Sequence, residues 1–346
     1  MSHPLSSEPH ALEQRAVVVT NKHGEKLVGV LHHTGSSKIV VLCHGFISTK
    51  NDSLILDLMA ALTKKGISVF RFDFSGNGFE LCWSIPHVIV SGGYALEQRA
   101  VVVTNKHGEK LVGVLHHTGS SKIVVLCHGF ISTKNDSLIL DLTAALTKKG
   151  ISVFRFDFSG NGESEGEFEY GNYRKEADDL HSVVSYLCKE KYDVTAIVGH
   201  SKGGDVVTLY ASIYDDVRLV INVSGRFDLE KGIEERIGEG SIDRINKEGY
   251  LDVKDKSGNV QYRVTKESLM ERLSTDIRAV SMSLTKECRF FTVHGSADET
   301  IPVEDAYEFA KHIPNHKLQV IEGANHNYTA HREELADAVV DFITSN

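Results

Sequence analysis

The sequence contains no apolar run as long as the roughly eighteen residues that a membrane-spanning helix needs. It also lacks an excess of positive charge, because 38 basic residues face 47 acidic ones and the formal net charge is −9. That balance argues against nucleic acid or an anionic membrane as a partner. The first ten residues lack the basic and apolar regions of a secretory signal, so we do not expect export.

Cysteine is scarce as well. The five cysteines are an odd number, and their spacing matches neither a disulfide framework nor a metal site. Such thiols fit a reducing compartment, so we expect a cytoplasmic protein. The sequence has no P-loop and no H-E-x-x-H motif, and the glycine-rich stretch Gly160–Gly166 places its third glycine one residue late for a dinucleotide fingerprint. We therefore expect neither a cofactor nor a metal.

The most prominent feature that the sequence does contain is an internal duplication. Residues Ala11–Gly78 recur as Ala95–Gly162, and the copies differ only at Met59, which is Thr143 in the second copy. Each copy predicts three strands, a helix and a further strand, so both copies compete for the same places in one sheet. The first copy would need a much longer loop to join the strands that follow, which disfavours it by roughly 1.7 kcal/mol.

This argument predicts the domain organisation. We expect residues 95–346 to form the working domain and residues 1–94 to be a redundant copy of its N-terminal half, poorly packed or displaced. From Ala95 onward, strands and helices alternate, which predicts an α/β fold with a mostly parallel sheet and helices on both faces. An insert at 226–287, rich in both charges, predicts either a small polar cap over the site or a solvated excursion.

One stretch organises the second half of the chain. The β-favouring run Val194–Val198 leads into Gly199-His-Ser201-Lys202-Gly203, and a helical pattern follows. Strand, tight turn and helix with G-x-S-x-G in the turn are typical of a nucleophile elbow, where a side chain at either glycine would collide. Ser201 is therefore the candidate nucleophile, although a plain turn between strand and helix is the alternative.

Two later strands supply a candidate acid and base. Asp298 follows the strand that ends near Gly295, and His326 follows the next one, which gives the order Ser, Asp, His expected on this architecture. The alternatives are that Asp298 caps the helix predicted at Val303–His312 and that His326 is an ordinary loop histidine. For the oxyanion we expect the backbone N–H groups of Phe130 and Lys202 as donors. His128 and Gly129 would shape the loop that carries Phe130.

With His128-Gly-Phe, Gly199-His-Ser-Lys-Gly-Gly, His294-Gly-Ser-Ala-Asp and Gly323-Ala-Asn-His in view, the chain from about Ala95 resembles the α/β-hydrolases. It is most similar to the cinnamoyl/feruloyl esterases and the serine-aminopeptidase-like hydrolases. The resemblance implies an eight-stranded, mostly parallel sheet, the triad Ser201, Asp298 and His326, and oxyanion donors at Phe130 and Lys202. Lys202 departs from the glutamine usual in the esterases, and the duplicated half has no counterpart.

These observations predict a serine hydrolase that acts on small carboxylic esters through an acyl-enzyme. A small-molecule acyl substrate is then the expected partner, with no nucleic acid and no membrane. Two alternatives stay open: a hydrolase-like receptor that binds a small ligand with little turnover, and an inactive product of the duplication.

Overall fold

The computed structural model describes residues 13–20, 26–43, 53–72, 87–91 and 94–345. The chain divides into two compact units. Unit 1 comprises Met1–Val90 with Glu97–Arg99, and unit 2 comprises Ser91–Leu96 with Ala100–Asn346. Among the described residues, no helix combines the length and apolarity needed to cross a membrane.

Unit 1 contains a small sheet built from the first copy of the duplication. Its elements are β1 (Glu13–Thr20), β2 (Lys26–His33), β3 (Ile39–Cys43), α1 (Ser53–Lys64) and β4 (Ser68–Phe72). The strand order is β1-β2-β4-β3, in which β3 and β4 are parallel and the other pairs antiparallel. A short strand, β5 (His87–Ser91), follows.

Unit 2 begins with the second copy and continues through an alternation of strands and helices. Before the insert its elements are β6 (Tyr94–Thr104), β7 (Lys110–His117), β8 (Lys122–Cys127), α2 (Ser137–Lys148), β9 (Ser152–Phe156), α3 (Tyr173–Lys189), β10 (Asp193–His200), α4 (Lys202–Tyr214) and β11 (Leu219–Val223). The insert contains α5 (Ile233–Ile237), α6 (Ser241–Glu248), β12 (Tyr250–Lys254), β13 (Val260–Thr265), α7 (Lys266–Ser274) and α8 (Ile277–Ser283). The chain ends with β14 (Arg289–Gly295), α9 (Glu304–His312), β15 (His316–Ile321) and α10 (Arg332–Thr344).

In unit 2 the main sheet has the order β15-β14-β11-β10-β8-β9-β7-β6. Its six strands from β15 to β9 run parallel, and β7 is antiparallel to β9. The eight strands from β15 to β6 therefore form a mostly parallel sheet with helices, as predicted.

Helices cover both faces of this sheet, as the side chains of β8 show. Ile123, Val125 and Cys127 belong to one buried apolar cluster, whereas Val124 and Leu126 belong to another. Successive side chains of a strand point to opposite faces, so the two clusters lie on opposite sides of the sheet. The first cluster is completed by α3 and α4 and the second by α2 and α10.

The same sequence is buried differently in the two copies. Ile39 in β3 is 53% exposed, whereas the corresponding Ile123 in β8 is fully buried. The topology explains the difference. β8 pairs with both β9 and β10, whereas within the described residues β3 pairs only with β4 at the edge of its sheet. The first-copy triplet His44-Gly45-Phe46 lies outside the described residues.

The order of the parallel strands brings four loops to one edge of the main sheet. Phe130 lies after β8, Ser201 after β10, Asp298 after β14 and His326 after β15. Sites in open parallel sheets form beyond the carboxyl ends of the strands. The insert also contributes residues to the cavity at Ser201.

Candidate active site

Ser201 sits on a sharp turn between β10 and α4. Its backbone has φ 56° and ψ −122°, a conformation rare for a residue with a side chain. A Cβ at Gly199 would lie 2.0 Å from the carbonyl oxygen of Gly203, and one at Gly203 would lie 2.6 Å from that of His128. Both glycines are therefore required for the close approach of strand, helix and neighbouring loop. The predicted collision at these positions is confirmed.

The structure brings Ser201, His326 and Asp298 together. His326 Nε2 lies 3.0 Å from Ser201 Oγ, and His326 Nδ1 lies 2.7 Å from Asp298 Oδ2. An ionised carboxylate only accepts hydrogen bonds, so Nδ1 carries the proton and donates a hydrogen bond to Asp298. The Nε2 of the neutral ring then accepts from the Ser201 hydroxyl. This tautomer can remove the serine proton.

Asp298 is held in its ionised form by several donors. Its Oδ1 accepts the backbone N–H groups of Thr300 and Ile301, each at 2.8 Å. Burial alone would raise the pKa of Asp298, but hydrogen bonds from His294, His326 and the Ile301 N–H together lower it below its ordinary value. Val303, not Asp298, is the N-cap of α9, so the capping alternative is wrong.

The chain is similar to several known proteins. A family model described as serine aminopeptidase, S33, matches residues 118–239. The solved structure of Est1E from Butyrivibrio proteoclasticus with ferulic acid bound is 25% identical, covers 71% of this chain and 98% of its own, and has a TM-score of 0.61. Rat mitochondrial palmitoyl-protein thioesterase ABHD10 is 25% identical over 59% of this chain and 67% of its own.

An uncharacterized protein of Saccharomyces cerevisiae, YDL057W, is 26% identical over 67% of this chain and 75% of its own length. The chain belongs to the α/β-hydrolase superfamily. The resemblance inferred from the motifs is thereby confirmed. The coarse activity that this membership supports is hydrolysis.

The loop after β8 approaches Ser201 closely in this hydrolase. A Cβ at Gly129 would lie 3.2 Å from Ser201 Cβ and 3.3 Å from the carbonyl oxygen of His200. His128 supports the loop, because its Nδ1 lies 2.8 Å from the Gly129 carbonyl oxygen and its Nε2 accepts the Phe158 N–H at 3.1 Å. Burial lowers the pKa of His128 to about 4, so the ring stays neutral in this role.

The two expected oxyanion donors are backbone N–H groups of the loop after β8 and of the turn at Ser201. Lys202 is the first residue of α4, and Phe130 is the residue after Gly129. No acceptor for either N–H is found in the described part of the chain. The Phe130 ring is fixed by edge contacts with Phe168, Tyr170 and Tyr262, at centroid distances of 5.4 to 5.6 Å.

The residue that follows the serine forms a buried ion pair, which sequence reasoning missed. Lys202 Nζ lies 2.7 Å from Glu176 Oε1 on α3, and the two side chains are 6% and 4% exposed. Burial raises the pKa of Glu176 to about 7, although Lys202 opposes that shift. Only the Lys202 backbone was assigned a role from the sequence, because no local pattern connects Glu176 to it.

Three further residues position the acid and the base. His200 Nε2 lies 3.0 Å from the His326 carbonyl oxygen, and Glu299 Oε2 accepts the His326 N–H at 3.2 Å. His294 Nε2 lies 3.4 Å from Asp298 Oδ2. His200 and His294 stand inside the quoted motifs, but the motifs alone assigned them no task. Within the described ranges, no cluster of histidine, cysteine or carboxylate side chains could hold a metal.

A narrow pocket opens beside Ser201. Its volume is about 30 Å³, and Phe130, Tyr173 and Ile301 are among the residues that line it. A volume of this size favours a small group next to Ser201. The insert contributes Gly232 and several charged side chains to the same pocket.

Proposed function

We propose that this chain is a serine hydrolase that cleaves small carboxylic esters through an acyl-enzyme. The observation that carries the proposal is the hydrogen-bonded series Ser201 Oγ, His326 and Asp298, with distances of 3.0 and 2.7 Å. A serine is a weak nucleophile unless a base in hydrogen-bond reach removes its proton and a third group orients that base. The serine, the base and the group that orients the base lie together at one edge of the sheet.

The proposed acylation step uses the tautomer described above. His326 Nε2 takes the Ser201 proton while Oγ attacks the ester carbonyl, and Asp298 stabilises the imidazolium that forms. The carbonyl oxygen becomes an oxyanion next to the N–H groups of Phe130 and Lys202. His326 then gives its proton to the departing alcohol, and the acyl group remains on Ser201.

Water completes the proposed cycle. His326 takes a proton from water as the water oxygen attacks the acyl carbonyl, and the oxyanion forms again. When the oxyanion collapses, the carboxylic acid is released and His326 returns the proton to Ser201 Oγ. The proton balance closes without a cofactor. Each oxyanion donor contributes about 10²–10³ in turnover in enzymes of this type.

The choice of esters rests on the relatives and on the pocket. Est1E was solved with ferulic acid, a carboxylic acid, and ABHD10 is named as a thioesterase. Both names describe acyl chemistry, and the narrow pocket favours a short acyl group or a small alcohol. We further propose that the insert at 226–287 acts as a cap that shapes this pocket, because Tyr262 and Arg236 from the insert pack against Phe130.

Hydrolysis of p-nitrophenyl acetate by Ser201→Ala tests the proposal. We expect a loss of at least about 10³-fold in kcat, because no other group replaces the nucleophile. Ser281→Ala is the matched control, since Ser281 is also buried and its hydroxyl has no hydrogen-bond partner in the described part of the chain. Unchanged hydrolysis by Ser201→Ala, with the control also unchanged, would refute the proposal.

A further inference from the structure

The pocket beside Ser201 contains more positive than negative charge. Four cationic side chains line it, and Asp205 is the lining carboxylate. The cations are Lys202, Arg226, Arg236 and Arg272. This concentration is unexpected in a chain of net charge −9, because nothing in the overall composition favours it.

Lys202 does not contribute to the excess, since its ammonium pairs with the buried carboxylate of Glu176. The three arginines differ from Lys202 in this respect. No carboxylate oxygen in the described part of the chain lies within 4.0 Å of any of their guanidinium nitrogens, although Arg226 and Arg272 act on Asp205 at longer range. Among the residues that line the pocket, three guanidinium groups therefore face one carboxylate, whereas Asp305 acts on Arg226 and Asp228 acts on Arg272 from outside the lining.

Structural roles account for Arg272. Its Nε donates to the Leu229 carbonyl oxygen at 2.9 Å and its Nη1 donates to the Tyr173 hydroxyl at 2.7 Å, so it ties the insert to α3. Its guanidinium also lies over the Tyr170 ring at 5.3 Å. This arginine supplies charge to the pocket, but its donors are largely used.

Arg226 and Arg236 are less occupied. Arg226 is 9% exposed, and its Nη2 donates to the Thr300 carbonyl oxygen at 2.6 Å, which holds the guanidinium against the loop that carries Asp298. The group has five N–H donors, so most remain for a ligand. Arg236 is exposed and lies over the Phe130 ring at 4.9 Å, directly above the residue proposed as an oxyanion donor.

We propose that the substrate of this site carries a carboxylate in addition to the ester, and that Arg226 binds this carboxylate while Arg236 guides it into the pocket. This inference rests on the proposed function, because it names the substrate class of the same serine. A planar carboxylate matches the fork of a guanidinium, and a small planar group suits the narrow volume. Clefts of one sign also concentrate ligands of the opposite sign.

The contacts of Asp205 are consistent with an excess of cationic donors in the pocket. Burial raises the pKa of Asp205, and Arg226 and Arg272 oppose the shift. Its Oδ1 accepts the Arg226 backbone N–H at 2.7 Å, so the carboxyl orients the Arg226 backbone rather than pairing with the guanidinium. The pocket is left with an excess of donors for an anion.

Two pairs of esters test the inference, and the members of each pair differ in charge and by one methyl group. One pair is 4-nitrophenyl hydrogen adipate and its methyl ester, which places the carboxylate on the acyl side. The other is 4-acetoxybenzoate and its methyl ester, which places it on the alcohol side. We expect the anionic member of at least one pair to have a kcat/KM about tenfold higher or more, and the ratio to fall as salt rises.

Arg236→Gln should lower that ratio about threefold to fivefold, since it removes an exposed charge. Arg226→Gln should lower it about tenfold or more, because charge-assisted bonds in buried sites are stronger. Arg278→Gln is the matched control: Arg278 is also exposed and also lies over a phenylalanine ring, that of Phe227 at 5.9 Å, but it is outside this pocket. The control should leave the ratio unchanged.

A binding experiment separates the inference from the proposed function. Monomethyl adipate and dimethyl adipate are titrated calorimetrically into the Ser201→Ala protein, in which turnover plays no part. Tighter binding of the monoester, weakened by Arg236→Gln, supports the inference even if hydrolysis proves independent of Ser201, which would defeat only the proposed function. Ser201-dependent hydrolysis with no anion preference in rates or binding would overturn the inference alone.

Discussion

The buried pair Glu176–Lys202 provides a sharp test of how electrostatics stabilise the turn at Ser201. The two charged atoms lie 2.7 Å apart, and both side chains are more than nine-tenths buried. Breaking a buried pair from one side typically costs about 3–5 kcal/mol, because a charge is left without compensation. The two single variants should nevertheless differ in the free energy of unfolding, because the carboxyl left in one variant takes up a proton more easily than the ammonium left in the other loses one.

Glu176→Leu leaves the Lys202 ammonium buried beside the Tyr173 ring, which lies 5.1 Å away and compensates only in part. We expect a loss of about 3–5 kcal/mol in the free energy of unfolding at pH 7. Lys202→Met instead leaves Glu176, whose pKa is already raised to about 7 by burial. This carboxyl takes up a proton, so we expect a smaller loss of about 1–2 kcal/mol.

The double variant Glu176→Leu/Lys202→Met removes both charges and should lie within about 1 kcal/mol of the original protein. Urea unfolding followed by far-UV circular dichroism compares the four proteins. A carboxyl group whose pKa is raised in the folded state stabilises the folded protein below its unfolded-state pKa. This stabilisation is lost as pH rises through the folded-state pKa. Lys202→Met should therefore lose less stability at pH 5 than at pH 8. Additive losses in the double variant, or a larger loss for Lys202→Met than for Glu176→Leu, would refute this reasoning.

Four further predictions follow from the same contacts. Asp298→Asn should lower the kcat for p-nitrophenyl acetate by about 10⁴ with little change in urea stability, because the histidine tautomer changes; a loss below tenfold contradicts it. Gly129→Ala should reduce turnover about tenfold or more, since its Cβ would lie 3.2 Å from the Cβ of the proposed nucleophile; full activity would show that the loop adapts. Burial lowers the pKa of His128 and of His200 to about 4 in each case, so their contribution to stability is complete above about pH 6.5 and is lost as pH falls towards 4; a constant urea midpoint over that range is the opposing result. A chain lacking residues 1–90 should keep full esterase activity, because every proposed site residue lies in unit 2; a loss of activity in a folded truncated protein would assign unit 1 a role.

Much of the framework could be predicted from the sequence because its signals are local. The helices Tyr173–Lys189 and Arg332–Thr344 can be recognised from the sequence, since each presents a long apolar stripe. The glycines around Ser201 indicated a sharp turn for a steric reason that the structure confirms. The roles assigned to the triad remain a proposal that rests on the geometry.

What could not be predicted depends on tertiary contacts or on very short elements. The helices Ile233–Ile237 and Ser241–Glu248 in the insert are too short to show a helical period. The pairing of Glu176 with Lys202 joins two helices, and the pocket beside Ser201 brings Arg236 and Arg272 of the insert together with residues of other elements. Contacts of this kind cannot be predicted from the local sequence of either segment.

The most direct test of the account is covalent labelling with a fluorophosphonate, followed by intact-mass analysis and peptide mapping while residual ester hydrolysis is measured. The account predicts one adduct per chain, located on Ser201, and a loss of hydrolysis in proportion to labelling. An adduct at another residue, or hydrolysis that persists after complete labelling of Ser201, would contradict it.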